Sequence, residues 1–243
     1  MELRGVPPPA VGAVVNTASF QPVISPGALV SLFGTSLGPP LLATQYDSTG
    51  RYPTEINNSK VTIGGMPAPI LYMSPGQINA IAPAGIPRET AEVVVSHYGG
   101  TSAMFSVPVA ETSPAIFAAA RGTGQGAILN VTGAAYSFNS VDNPATPGQP
   151  IVLYATGAGR WSEPGDVAAI SLIAKPFTAR PLSLAIGGLS ARIYYAGAAP
   201  YEPSGMIQVN AWVPETAPPG EQPVVLTVGQ RSSAEQRVTI AIR

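Results

Sequence analysis

Apolar and polar positions alternate in short runs along this chain, and Gly or Pro closes nearly every run. Lys60-Val61-Thr62-Ile63 alternates strictly and meets Gly64-Gly65, after which Pro69-Ile70-Leu71-Tyr72 returns. A tight turn between two such segments is a hairpin signal, because glycine reaches the positive φ that a two-residue turn needs. Ala28-Leu29-Val30-Ser31-Leu32-Phe33 follows the Pro26-Gly27 turn, and Gln77 to Ala82 is closed by Pro83. Glu92 to Ser96 and Met104 to Val109 flank Gly99-Gly100. Period two dominates, so the pattern predicts about seven short strands in this half and no amphipathic helix. The stretch Asp166 to Ala174 is the one plausible helical turn.

The pattern occurs twice. Ile63-Gly64-Gly65 with Tyr72 returns as Ile186-Gly187-Gly188 with Tyr195, and Gln77-Ile78-Asn79 as Gln208-Val209-Asn210. Pro26-Gly27 returns as Pro147-Gly148, and Val14-Val15-Asn16 as Ile128-Leu129-Asn130. The offset grows from 114 (Asn16 to Asn130) to 131 (Gln77 to Gln208), so the second copy carries insertions in an unchanged order. Each copy is long enough to be a domain. The expectation is one sandwich over 11–110, a linker rich in Ala and Gly over 111–126, and a second sandwich over 127–243. Insertions unique to the second copy fall at 160–181 and 197–205.

Certain residues in this order resemble a known family. Pro26-Gly27, an apolar strand, Gly34-Thr35-Ser36-Leu37-Gly38 and Ile63-Gly64-Gly65 through Tyr72 look like an IPT/TIG-type immunoglobulin-like domain. Ser74-Pro75-Gly76-Gln77-Ile78-Asn79, Gly124-Gln125-Gly126, Asn143-Pro144-Ala145 and Tyr154-Ala155-Thr156-Gly157-Ala158-Gly159 extend the likeness over most of the chain. Together they resemble the Solibacter-type C-terminal module of large exported bacterial proteins. The resemblance implies an all-β fold of two tandem immunoglobulin-like β-sandwiches outside the cytoplasm, and it brings no activity or catalytic residues.

Composition narrows the function classes. Only 10% of residues are charged, with 12 basic and 13 acidic, so the basic footprint that neutralises nucleic-acid phosphates is missing. No apolar run is long enough to cross a bilayer, and Pro7-Pro8-Pro9 interrupts the place where a signal peptide would be apolar. An export signal is therefore expected to have been removed or to lie on a longer parent chain. There is no cysteine, which excludes disulfides and thiolate chemistry.

Candidate chemistry is sparse. Gly34-Thr35-Ser36-Leu37-Gly38 has the spacing of a nucleophile elbow, but Pro39-Pro40 forbids the helix that the elbow needs, and the second copy has Gly157 in place of the serine. His97 is the sole histidine and reads as a surface or strand-end residue. Asp47, Asp142, Glu163 and Asp166 are loop carboxylates without metal-ligand spacing. No enzyme, cofactor or metal is expected. Gln77/Asn79 and Gln208/Asn210 stand two apart on strands, each pair on one face; their presence in both copies favours scaffold amides that bond to crossing loops. Trp161, Phe177 and Tyr201, in the insertions, are the candidate contact residues for a partner, and Trp212 is expected in a core or interface. The functional expectation is a non-enzymatic extracytoplasmic scaffold that contacts a protein or a neighbouring domain. The alternative is a carbohydrate-binding module using the loop aromatics.

Overall fold

The computed structural model describes residues 7–40, 42–44, 46–160, 169–170, 174, 176 and 180–243. The chain is an all-β protein of immunoglobulin-like sandwiches; among the described residues the one helical element is a 3-10 turn, Ala234–Gln236.

In the first half one layer runs Ala10–Asn16, Leu29–Thr35, Gln77–Ile81, Ile70–Met73 and Leu42–Ala43, with neighbours antiparallel. The facing layer centres on Glu89–His97, which pairs with Ser59–Ile63 and Phe105–Val109. Alternation sends Val30 and Leu32 inward from the first layer and Val61, Ile63, Val93 and Val95 inward from the second; all six are fully buried in one cluster. The second half buries an equivalent cluster that includes Ile151, Leu153, Val209, Leu226 and Ile240.

The halves match in detail as well as in outline. Ser102 Oγ accepts the Val95 N–H at 3.1 Å, and Ser233 Oγ accepts the Leu226 N–H at 3.0 Å, each seven residues back along the chain. Both hydroxyls satisfy a backbone donor where the strand turns away from its partner. One difference has a clear cause. Leu189–Ala198 is continuous and pairs with Leu182–Ile186 at its start and Ile207–Trp212 further on, stitching both layers into one sheet. The corresponding stretch of the first half is broken into Met66–Pro67 and Ile70–Met73. Pro67 and Pro69 supply no N–H there, so the ladder cannot run through.

Segment 111–126, read above as a linker, forms strands of the second half. Ala115–Ile116 pairs with the end of Pro150–Thr156, and Thr123–Gly126 runs parallel to Val238–Ile242. Ile116 is fully buried in the second core.

The halves meet through a seam of satisfied polar groups. Thr156 is fully buried; its Oγ1 accepts the Leu29 N–H at 2.9 Å and donates to the Gly205 carbonyl at 2.7 Å. Gln236 Oε1 accepts the Ile116 N–H, while its Nε2 lies 2.9 to 3.1 Å from the carbonyls of Ala18, Ile116 and Gly122. An amide nitrogen has two hydrogens, so one of the three bonds is shared. Asn16 Nδ2 donates to the Ser113 carbonyl at 2.9 Å. The 197–205 insertion joins this seam: a Cβ on Gly205 would stand 2.6 Å from the Gly27 carbonyl oxygen and 3.0 Å from Leu29 Cδ2. Only glycine allows that approach.

Candidate functional site

The outward positions of the second half's sheet gather rings. In Pro150–Thr156 the residues Ile151, Leu153 and Ala155 enter the core, which turns Val152 and Tyr154 outward. In Ile207–Trp212 the core takes Ile207, Val209 and Ala211, leaving Gln208, Asn210 and Trp212 outside. Register sets Tyr154 opposite Gln208, Val152 opposite Asn210 and Pro150 opposite Trp212. On one flank, Ala135–Phe138 adds Tyr136 and Phe138, opposite Val131 and Leu129 and 63% and 76% exposed. On the other, the ladder slips between Ile193 and Tyr195, so Tyr194 and Tyr195 together answer Asn210. A bulge of this kind puts both side chains on one face. The Tyr194 and Trp212 rings lie 5.8 Å apart, and the Arg192 guanidinium stands 5.1 Å from the Trp212 ring centre.

Between the rings lies an amide pair. Gln208 Nε2 donates to Asn210 Oδ1 at 2.9 Å. The first half repeats this bond from Gln77 Nε2 to Asn79 Oδ1 at 2.8 Å, and there Ser31 Oγ also donates to Asn79 at 3.0 Å. These amides bond to one another and, in the first half, to a serine, whereas the sequence reading assigned them to loop backbones. Burial pushes the Tyr154 hydroxyl above its ordinary value, helped by the charges of Glu202 and Tyr136; burial and Tyr136 do the same for Tyr194. Both phenols stay protonated at neutral pH and can donate.

Trp212 was expected in a core or interface and stands half-buried on this face. Its counterpart Ile81 is fully buried, because Leu29 opposite it carries the seam at Gly205. The second half has Pro150 opposite Trp212 at that place. Tyr201 is 69% exposed, with φ of 65°, in a loop that closes from Ala199 to Met206. Trp161, Phe177, Glu163 and Asp166 lie outside the described residues, as does most of the helical turn expected over 166–174.

The other candidates resolve into structure. His97 ends its strand as expected but is buried; its Nδ1 lies 2.6 Å from the Oγ of Ser59, itself fully buried. A serine–histidine pair closed off from solvent offers no approach to a substrate. Ser36 takes a positive φ of 53° in the tight loop after its strand, ahead of buried Leu37. Asp47 Oδ1 accepts the Thr49 hydroxyl and the Arg51 and Thr49 N–H groups, which makes it a turn former and holds its carboxyl below the ordinary value. Among the described residues no three His, Cys, Asp or Glu side chains cluster as metal ligands. A cleft of about 310 Å³ at the seam is lined by Ser19, Ser113, Arg231 and Glu235, with the fully committed Gln236 amide in its wall.

No helix among the described residues is long and apolar enough to cross a membrane. No family model matches the chain, nor does any curated protein. Among solved structures it is similar to the extracellular region of plexin A4, at 11% identity over 100% of this chain and 19% of that one, with a TM-score of 0.31. It is also similar to the Bacteroides ovatus mixed-linkage glucan utilization locus protein SGBP-B, at 15% identity over 92% of this chain and 45% of that one, with a TM-score of 0.35. A Bacteroides uniformis SGBP-B from a xyloglucan utilization locus gives 13% identity over 97% and 49%, with a TM-score of 0.27. The chain spans less than half the length of each, and likenesses this distant assign no function.

Proposed function

We propose that this chain is a non-enzymatic interaction module acting outside the cytoplasm, within a longer exported or surface protein of the Solibacter-type architecture. It holds its partner on the outer face of the second half's sheet. One observation carries the reading: Tyr136, Phe138, Tyr154, Tyr194 and Trp212 occupy outward positions on neighbouring strands, where a soluble sandwich ordinarily shows polar side chains. The low charge, the lack of cysteine and the closed Ser59–His97 pair are consistent with binding rather than catalysis. The seam gives this face a firm mount.

The test is binding of the full chain to a panel of purified polysaccharides and extracellular proteins, measured beside a Trp212→Ala/Tyr194→Ala variant and a Tyr201→Ala variant. Loss in the double variant alone supports the sheet face. Loss in Tyr201→Ala alone moves the site to the 197–205 loop. Binding unchanged in both, or ester or glycoside hydrolysis above the buffer rate, contradicts the proposal.

A further inference from the structure

Resting on that reading of the face, we infer that its occupant is an uncharged, flat β-linked polysaccharide lying across the strands from Tyr136 to Tyr194. The first argument is shape. The rings are distributed over a sheet, not gathered round a pit, and the path from the Tyr136 strand to the Tyr194 strand crosses four strand spacings, about 19 Å at about 4.8 Å each. That accommodates several pyranose units in a row. A chain of equatorially linked sugars presents broad C–H faces that stack on aromatic rings, with its hydroxyls projecting along the ribbon's edges.

The second argument is polarity. The Gln208–Asn210 bond uses one Gln208 hydrogen and the Asn210 carbonyl, leaving Gln208 Oε1 and Asn210 Nδ2 available as acceptor and donor in the midst of the rings. The protonated Tyr154 and Tyr194 hydroxyls offer both functions as well. Sugar hydroxyls need this mixture of donors and acceptors at the margin of an apolar platform.

The third argument is charge. Arg192 stands over Trp212, and Glu202 lies within Coulombic reach of Tyr154. Arg180, beside Tyr194, is paired with Glu111, so among the described residues charges of both signs border the rings, a pattern that complements neither a polyanion nor a polycation. The complement is an uncharged ligand.

Affinity electrophoresis of the full chain tests this, with native gels holding barley mixed-linkage β-glucan or hydroxyethyl cellulose, beside gels holding polygalacturonate. The expected result is retardation by the neutral β-glucans, weakened about tenfold or more in Trp212→Ala and in Tyr136→Ala. Tyr98→Ala, an exposed tyrosine of the first half, should migrate as the unmodified chain does. Unaltered thermal unfolding of the variants would exclude misfolding as the cause. Retardation by polygalacturonate alone, or none in any gel while a protein still binds and Trp212→Ala abolishes that binding, overturns the neutral-glycan ligand but leaves the face as the site. Retardation that survives the Trp212→Ala/Tyr194→Ala variant overturns both.

Discussion

Thr156 Oγ1 and the Leu29 backbone N–H, 127 residues apart in sequence, share a fully buried hydrogen bond of 2.9 Å, and the same hydroxyl donates to the Gly205 carbonyl at 2.7 Å. One side chain thus satisfies a strand of the first half and an insertion of the second. Opening the seam gives up both bonds and the packing around them, and removing the hydroxyl with the seam closed would strand a buried donor and acceptor, each at a cost of about 1–3 kcal/mol. The halves should therefore melt together. Scanning calorimetry is expected to show a single transition with matching calorimetric and van't Hoff enthalpies, and Thr156→Val to lower stability by about 2–4 kcal/mol. Two separable transitions in the unmodified chain would contradict the account of the seam.

Gly157 tests the same seam through sterics. Its φ is +83°, and an added Cβ would lie 2.0 Å from the Ser113 carbonyl oxygen, in the segment joining the halves. Gly157→Ala should cost about 2–5 kcal/mol, combining conformational strain with overpacking. Gly188→Ala is the control, since its φ is +77° but nothing lies within 4 Å of the added carbon. Only the conformational cost of about 1 kcal/mol is expected there. Equal losses in the two variants, read by chemical denaturation, would count against a tight seam at Ser113.

His97 sets a pH dependence. Burial holds its imidazole below the ordinary value of 6.5, so between the two values the unfolded chain binds more protons than the folded one. The neutral ring's contribution is present in full above pH 6.5 and is lost as pH falls through the folded value. Melting temperature should decline on acidification from about pH 6.5, before most carboxylates titrate, and His97→Gln should flatten that decline. A melting temperature constant from pH 7.5 to pH 5 in the unmodified chain (roughly the range in which histidine titrates) would refute it.

The layers of the fold were readable because their causes are local. Gly64-Gly65 and Gly187-Gly188 announce their hairpins, and strict alternation around Val61 and Ile63 assigns the core side. The seam was not readable. Thr156 is an ordinary strand residue until Leu29 arrives from 127 positions away, and Gln236 looks like any exposed amide after a turn. The aromatic face was missed for a related reason: Tyr136, Tyr154 and Tyr194 lie in different segments, and only register makes neighbours of them. Trp212 stands half-buried on the outer face where its counterpart Ile81 is fully buried against the seam. The Gly133 turn that folds Ala135–Phe138 back onto Ile128–Thr132 has none of the Asn-Gly signal that would have exposed the edge strand.

The most direct test of the aromatic face uses its own tryptophan. The chain has two, so Trp161→Phe leaves Trp212 as the reporter. Titration of that variant with soluble barley β-glucan should shift the Trp212 emission to the blue and saturate, because a stacked sugar excludes water from the half-exposed ring. Emission that stays unchanged while electrophoresis shows the same variant retarded by the same β-glucan would place the ligand elsewhere and contradict the account.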